Sequence, residues 1–184
     1  MSQALPDPIA RDATARVATL ARETTILLSV ALAIAASARI VFPLGFTPVP
    51  VTAQTFVVLV AGTLVGARRA GGGALTYLAL GVAGIPWFAT GGATLGYLAG
   101  FALAALLVGR AADAGALTTR RSALRVMVLA HATIYALGAT WLALFLGVGP
   151  VMALTLGVVP FLAGDAVKVV AAAAIAPSLV RLRG

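Results

Sequence analysis

Residues 161–177 read FLAGDAVKVVAAAAIAP, an apolar run that carries an acid, Asp165, and the chain's only lysine, Lys168. On a helix, residues at i and i+3 share a face. Facing hydrocarbon, each charge would cost at least ~2.5–3.5 kcal/mol on insertion scales, so both are expected to point into a bundle or a polar cavity. Two readings stay open at this point. One is a mutually neutralising ion pair that fixes a helix against its neighbours; the other is a ligand site inside the membrane.

The membrane itself follows from the surroundings of that run. Of the 184 residues, 61% are apolar and only 10% charged, with a mean hydropathy of +1.08, whereas soluble domains carry roughly 25% charged residues. Between Ala70 and Gly109 there is no Asp, Glu, Lys or Arg, which leaves nothing from which to build an aqueous surface. With no cysteine and one histidine, neither a disulfide framework nor a thiolate or histidine metal cluster is expected. The net charge of +8 sits at the ends of apolar segments, as membrane orientation requires, and is not read as a nucleic-acid footprint.

Residues 1–22 mix Arg11, Arg16 and Arg22 with Asp7, Asp12 and prolines, and are expected to form a cytoplasmic arm. Residues 23–184 then divide at Arg, Pro and Gly into six apolar segments near 24–42, 52–67, 71–85, 93–109, 124–146 and 160–179. The expected fold is an all-α integral membrane protein, a compact bundle of six transmembrane helices with both termini cytoplasmic. Six spans from an inner N-terminus put eleven of the thirteen basic residues on the inner side, leaving Arg39 at an outer end and Lys168 within the last span. An odd number would break that alternation.

The connections on the outer side, VFPLGFTPVPVTAQ, GIPWFATGGA and LGVGPVMALTLGVVP, are apolar and almost uncharged. Loops that simply faced water would not need this composition, so they are expected to fold back over the bundle around an outward cavity. Pro43, Pro48 and Pro50 restrict φ and disfavour helix, which suits either a stiff extended lid or a plain connector. With helix 6 starting near Pro160, Asp165 would lie about one and a half turns in, roughly 7 Å along the axis.

An ammonium holds a carboxylate, and a carboxylate accepts hydrogen bonds from N–H groups. The ligand reading of Asp165 and Lys168 therefore suits a small acid with an amide-like or ureido head. Gln54 offers a donor and an acceptor to such a head, or a hydrogen bond between helices. Trp87, Phe88 and Tyr97 suit either stacking on a ligand ring or anchoring at the interface. His131, Tyr135 and Trp141 lie along helix 5, and His131 reads as an interhelical hydrogen-bond partner outside the site.

The run PLGFTPVPVTAQTFVVLVAGTLVGARRAGGGALTYLALGVAGIPWF, followed by GYLAGF and PFLAGDAVK, resembles the BioY family, the biotin-binding S components of energy-coupling factor transporters. The blocks cover most of residues 39–170 in order. The resemblance implies six membrane helices, biotin bound near the outer face beneath the loop between helices 1 and 2, and energising by a separate membrane subunit and two ATPases. It assigns Asp165 and Lys168 to the biotin pocket, and Thr47, Pro48, Val49, Pro50, Thr52 and Gln54 to the covering loop. Tyr77, Trp87, Phe88 and Tyr97 fall in blocks that match pocket-lining regions. Ala31 and Ala35 resemble the face that S components present to the energising subunit. The connection TGGATLGYLAGF departs from the longer glycine-rich insert of many relatives.

No catalytic residues, metal or cofactor are expected: no nucleophile–base pair is present, and GDAVK lacks the glycine loop that cradles phosphates. The bilayer, the ligand biotin and the transporter subunits are the expected partners, with localisation in the bacterial cytoplasmic membrane. Two rival readings remain: an S component for another small vitamin, and a stand-alone secondary transporter in which Asp165 and Lys168 relay ions or protons.

Overall fold

In a computed structural model, residues 8–88 and 92–183 are described, with side chains from residue 14 onward. The apolar segments become helices, with most of their charges near the ends: α1 Pro8–Ser37, α2 Gln54–Val65, α3 Ala67–Val82, α4 Leu95–Asp113, α5 Arg120–Leu146, α6 Pro150–Gly157 and α7 Leu162–Arg181. The helical segments containing α1, α4, α5 and the α6–α7 pair are long and apolar enough to cross a membrane, and α2 is a shorter apolar helix. Thr14–Arg22 are exposed and continue without a break into the rest of α1.

The all-helical reading agrees with this architecture, but the last connection does not. The connection LGVGPVMALTLGVVP, residues 146–160, expected to be a loop, contains α6. Pro150 occupies its first turn, where a missing N–H costs little, and extended Gly149 precedes it. Pro160 is not the start of the last helix either. It sits in a 3-10 turn, Val159–Phe161, so α7 begins at Leu162 and Asp165 falls in its first turn. The lid stretch forms a two-residue antiparallel ladder between β1, Val41–Phe42, and β2, Val51–Thr52, with residues 43–50 as its loop.

Small residues set the helix spacing. α4 is central and packs against α5, α3 and α2, while α1 lies at the edge against α3 and α2. A Cβ on Gly100 would stand 2.7 Å from Ile134 Cα of α5, and one on Gly62 would stand 2.9 Å from Val108 Cβ of α4. Such contacts let backbones approach closely and gain dispersion energy, which must replace the missing hydrophobic drive inside a bilayer.

Ala31 and Ala35, expected on a face offered to a partner, lie against α3 in this structure. Both are 0% exposed, because α1 turns this side inward. The glycines of α3 receive that helix: Gly72 meets Leu27, and a Cβ on Gly73 would stand 2.5 Å from Val30 Cβ. Neither alanine has surface left to offer a partner in this conformation.

At the opposite end from the lid, Gly66 joins α2 to α3 at φ +83°, a left-handed conformation that favours glycine. Asp113 at the end of α4 accepts the Ala67 N–H at 3.0 Å and Arg183 Nη2 at 2.5 Å. It thus caps the first turn of α3 from another helix. Arg69 of α3 also holds Glu23 of α1 through two N–H donors, at 2.9 and 2.5 Å.

Candidate functional site

A cavity of about 170 Å³ lies between the β1–β2 loop and helices α2, α4, α5 and α7. Its walls are mainly apolar: Val41, Val49 and Val51 from the lid side, Leu98 and Phe101 from α4, Ile134 from α5, and Phe161 before α7. The polar groups are few and converge. Thr52, Gln54, Thr55, Tyr97, Tyr135, Asp165 and Lys168 all reach it, a pattern typical of small-molecule sites.

The acid and lysine quoted at the outset meet here. Lys168 Nζ donates to Asp165 Oδ1 at 2.7 Å, with side chains 18% and 10% exposed. Neither faces outward alone. Asp165 Oδ2 accepts from the Tyr135 hydroxyl at 2.8 Å and pairs with His131 Nε2 at 3.1 Å, while Thr55 Oγ1 lies 3.5 Å from Oδ1. The cluster therefore ties α2, α5 and α7 together at the cavity wall.

Gln54 and Thr52 complete the polar side. The Thr52 hydroxyl donates to Gln54 Oε1 at 3.1 Å, and Gln54 Nε2 donates to the Tyr77 hydroxyl at 2.9 Å. Tyr97 lines the cavity with its ring and donates its hydroxyl to the Gly157 carbonyl at 2.7 Å, joining α4 to the end of α6. That ring has room only because Gly138 of α5 has no side chain: a Cβ there would overlap the Tyr97 ring.

Of the residues singled out from the sequence, Asp165, Lys168, Gln54, Tyr97, Val49, Pro50 and Thr52 line the cavity. Thr47, Pro48, Tyr77, Trp87 and Phe88 are not among its lining residues, for three physical reasons. Thr47 is turned to α6, where its hydroxyl donates to the Leu156 carbonyl at 2.8 Å, and Pro48 follows it in the loop. Tyr77 is buried behind Gln54 and packs against Phe88 with ring centroids 5.6 Å apart. Trp87 is 60% exposed, and the Arg39 guanidinium sits 5.0 Å from its ring centroid, a cation–π geometry at the surface.

Thr55, Leu98, Phe101, Ile134 and Phe161 line the cavity without having been singled out. His131 and Tyr135 are the polar partners of Asp165 on α5 that the sequence reading left out. They stand at i and i+4 on α5, with rings edge-on at 4.5 Å, and both reach Asp165. Their common helical face was the available signal. Among the described residues, no group of three or more His, Cys, Asp or Glu side chains is arranged to hold a metal.

Comparison with known proteins adds to this geometry. The family model "BioY family" matches residues 9–184. A biotin transporter BioY from Rhizobium etli is 34% identical over 145 residues, covering 71% of this chain and 77% of that protein. A biotin transporter BioY from Thermotoga maritima is 37% identical over 157 residues, covering 81% and 90%. The crystal structure of the S-component for biotin from an ECF-type ABC transporter superposes with a TM-score of 0.76 over 90% of this chain and 94% of that one. At 23% identity, that likeness shows the fold. With the family model spanning nearly its whole length, the chain belongs to the BioY family.

Proposed function

We propose that this chain captures biotin and serves as the substrate-specific subunit of an ECF-type ABC transporter for biotin uptake. It is a transport subunit and not an enzyme. Membership of the BioY family and the biotin transporters among its relatives support the substrate, and the S-component fold supports the assembly. The observation that carries the reading is a single Lys168–Asp165 pair at the wall of an otherwise apolar, lidded cavity. Biotin matches this in kind, with an apolar bicycle and chain, a ureido group and one carboxylate.

In this scheme Lys168 offers its ammonium to the ligand carboxylate, because an ammonium–carboxylate contact is a strong, charge-assisted hydrogen bond. Phe101, Leu98, Ile134 and Phe161 cover the apolar part, and Tyr97, Gln54 and Thr52 supply polar contacts. Val49 and Pro50 close the roof. At about 170 Å³ the cavity is smaller than the ~300–1,000 Å³ common for small-molecule sites, so the 43–50 loop shifts to admit the ligand. Hydrolysis of ATP belongs to separate ATPase subunits, coupled through an energising membrane subunit.

The proposed location is the cytoplasmic membrane with both termini inside and residues 1–22 as the inner arm. Eleven of thirteen basic residues fall on that side under this orientation. The test is a titration of the detergent-purified chain with biotin, lipoate, thiamine and riboflavin. Saturable binding of biotin alone supports the proposal. Preference for another vitamin assigns a different S-component role, and binding that depends strongly on pH or sodium favours a secondary transporter.

A further inference from the structure

Resting on the biotin reading, the geometry divides the labour between Asp165 and Lys168 unequally. An ionised carboxylate offers about four lone-pair positions. Around Asp165 four donors already compete for them: Lys168 at 2.7 Å, Tyr135 at 2.8 Å, His131 at 3.1 Å and Thr55 at 3.5 Å. Asp165 is also 7% exposed. An incoming N–H finds no well-placed lone pair there. Lys168 differs, because an ammonium has three donors and Asp165 takes one. Its side chain borders the cavity.

We infer that His131 and Tyr135 are positioning residues, which lock Asp165 as the counter-ion that aims the Lys168 ammonium at the ligand carboxylate. Asp165 itself is then not a ligand contact. Two features of α5 support this division. The His131 ring is 6% exposed, and its Nδ1 has no hydrogen-bond partner among the described residues, so the hydrogen bonding of this histidine is spent on Asp165. The edge-on contact with Tyr135 one turn away fixes both rings against each other. Two donors on the far oxygen, Oδ2, leave Oδ1 facing the lysine. If either donor is lost, the carboxylate is free to turn and the ammonium loses its fixed direction.

A purely structural role would tie α5 to α7 and affect every ligand equally. Selectivity separates the two. The full chain in detergent is titrated with biotin and with biotin amide, as wild type and as Tyr135→Phe, His131→Leu and His131→Gln, with a melting curve for each. Glutamine can return an N–H to the Nε2 position. The inference expects Tyr135→Phe and His131→Leu to lower the acid-to-amide affinity ratio by roughly fivefold, about the size of one hydrogen bond, with amide affinity little changed. His131→Gln should restore most of the ratio. Equal losses for both ligands, or an unchanged ratio in Tyr135→Phe, overturn it. Tyr135→Phe removes one oxygen and decides the matter should His131→Leu fail to fold. A wild type that binds both compounds equally also overturns the inference while leaving biotin as substrate; a wild type that binds neither removes the biotin reading itself.

Discussion

The Thr47 hydroxyl in the lid loop donates across 2.8 Å to the Leu156 carbonyl of α6, 109 residues further along the chain. It is the contact by which the roof of the cavity is fastened to a helix that the sequence had suggested was a loop. Val49 N lies 3.3 Å from the same Oγ1, so one hydroxyl serves both the turn and the tether.

Replacing Thr47 with valine keeps the shape and removes the tether. A net hydrogen bond is worth about 0.5–1.5 kcal/mol, so biotin should dissociate roughly two- to tenfold faster, with little change in melting temperature. Stopped-flow or chase measurements of the off-rate check this; an unaltered rate would show that the lid is held elsewhere.

Lys168→Ala removes the cation at the cavity wall. Biotin should weaken by roughly ten- to a hundredfold, given about 1.5–3 kcal/mol for a hydrogen bond to a charged group, and biotin amide by much less. Isothermal titration with the two ligands is sufficient. Parallel losses would place the carboxylate away from this lysine.

Gly138→Ala inserts a methyl group where the Tyr97 ring lies. Overpacking of this kind costs about 1–3 kcal/mol, and here the displaced ring also shapes the cavity and holds the Gly157 carbonyl. Lower thermal stability is expected together with weaker biotin binding. Stability and affinity that both match wild type would mean the ring moves aside freely.

Asp113→Ala and Arg183→Ala test the opposite end. Asp113 caps α3 through the Ala67 N–H, a role worth about 0.5–2 kcal/mol. Its bond to the part-exposed Arg183 is worth at most about 1 kcal/mol. Thermal melts should show the aspartate variant as the less stable, with biotin affinity unaffected in both.

What could be read from the sequence followed from charge. The uncharged stretch 70–109 marks membrane helices, and the i, i+3 spacing of Asp165 and Lys168 leads to a shared inward face, as found. Spacing says less about direction when all sides of a helix are apolar. The Ala31 and Ala35 pair defines a close-packing face, but only the glycines of α3 reveal that this face turns inward. α6 was hidden because Pro150, Pro160 and the surrounding glycines are equally good signals of a loop. His131 and Tyr135 lie 34 and 30 residues from Asp165, and a single sequence carries no term that pairs α5 with α7.

The brevity of α2 has a further consequence. Its 12 residues span about 18 Å at ~1.5 Å each, against a hydrocarbon core of ~30 Å. Gln54 and Thr55 at one end border the cavity, while Gly66 beyond the other end abuts Asp113 and Arg183. What separates a guest beside Thr55 from the far charged cluster is therefore a single short rod. Any passage from the cavity toward those charges would have to part only the protein packed around that rod.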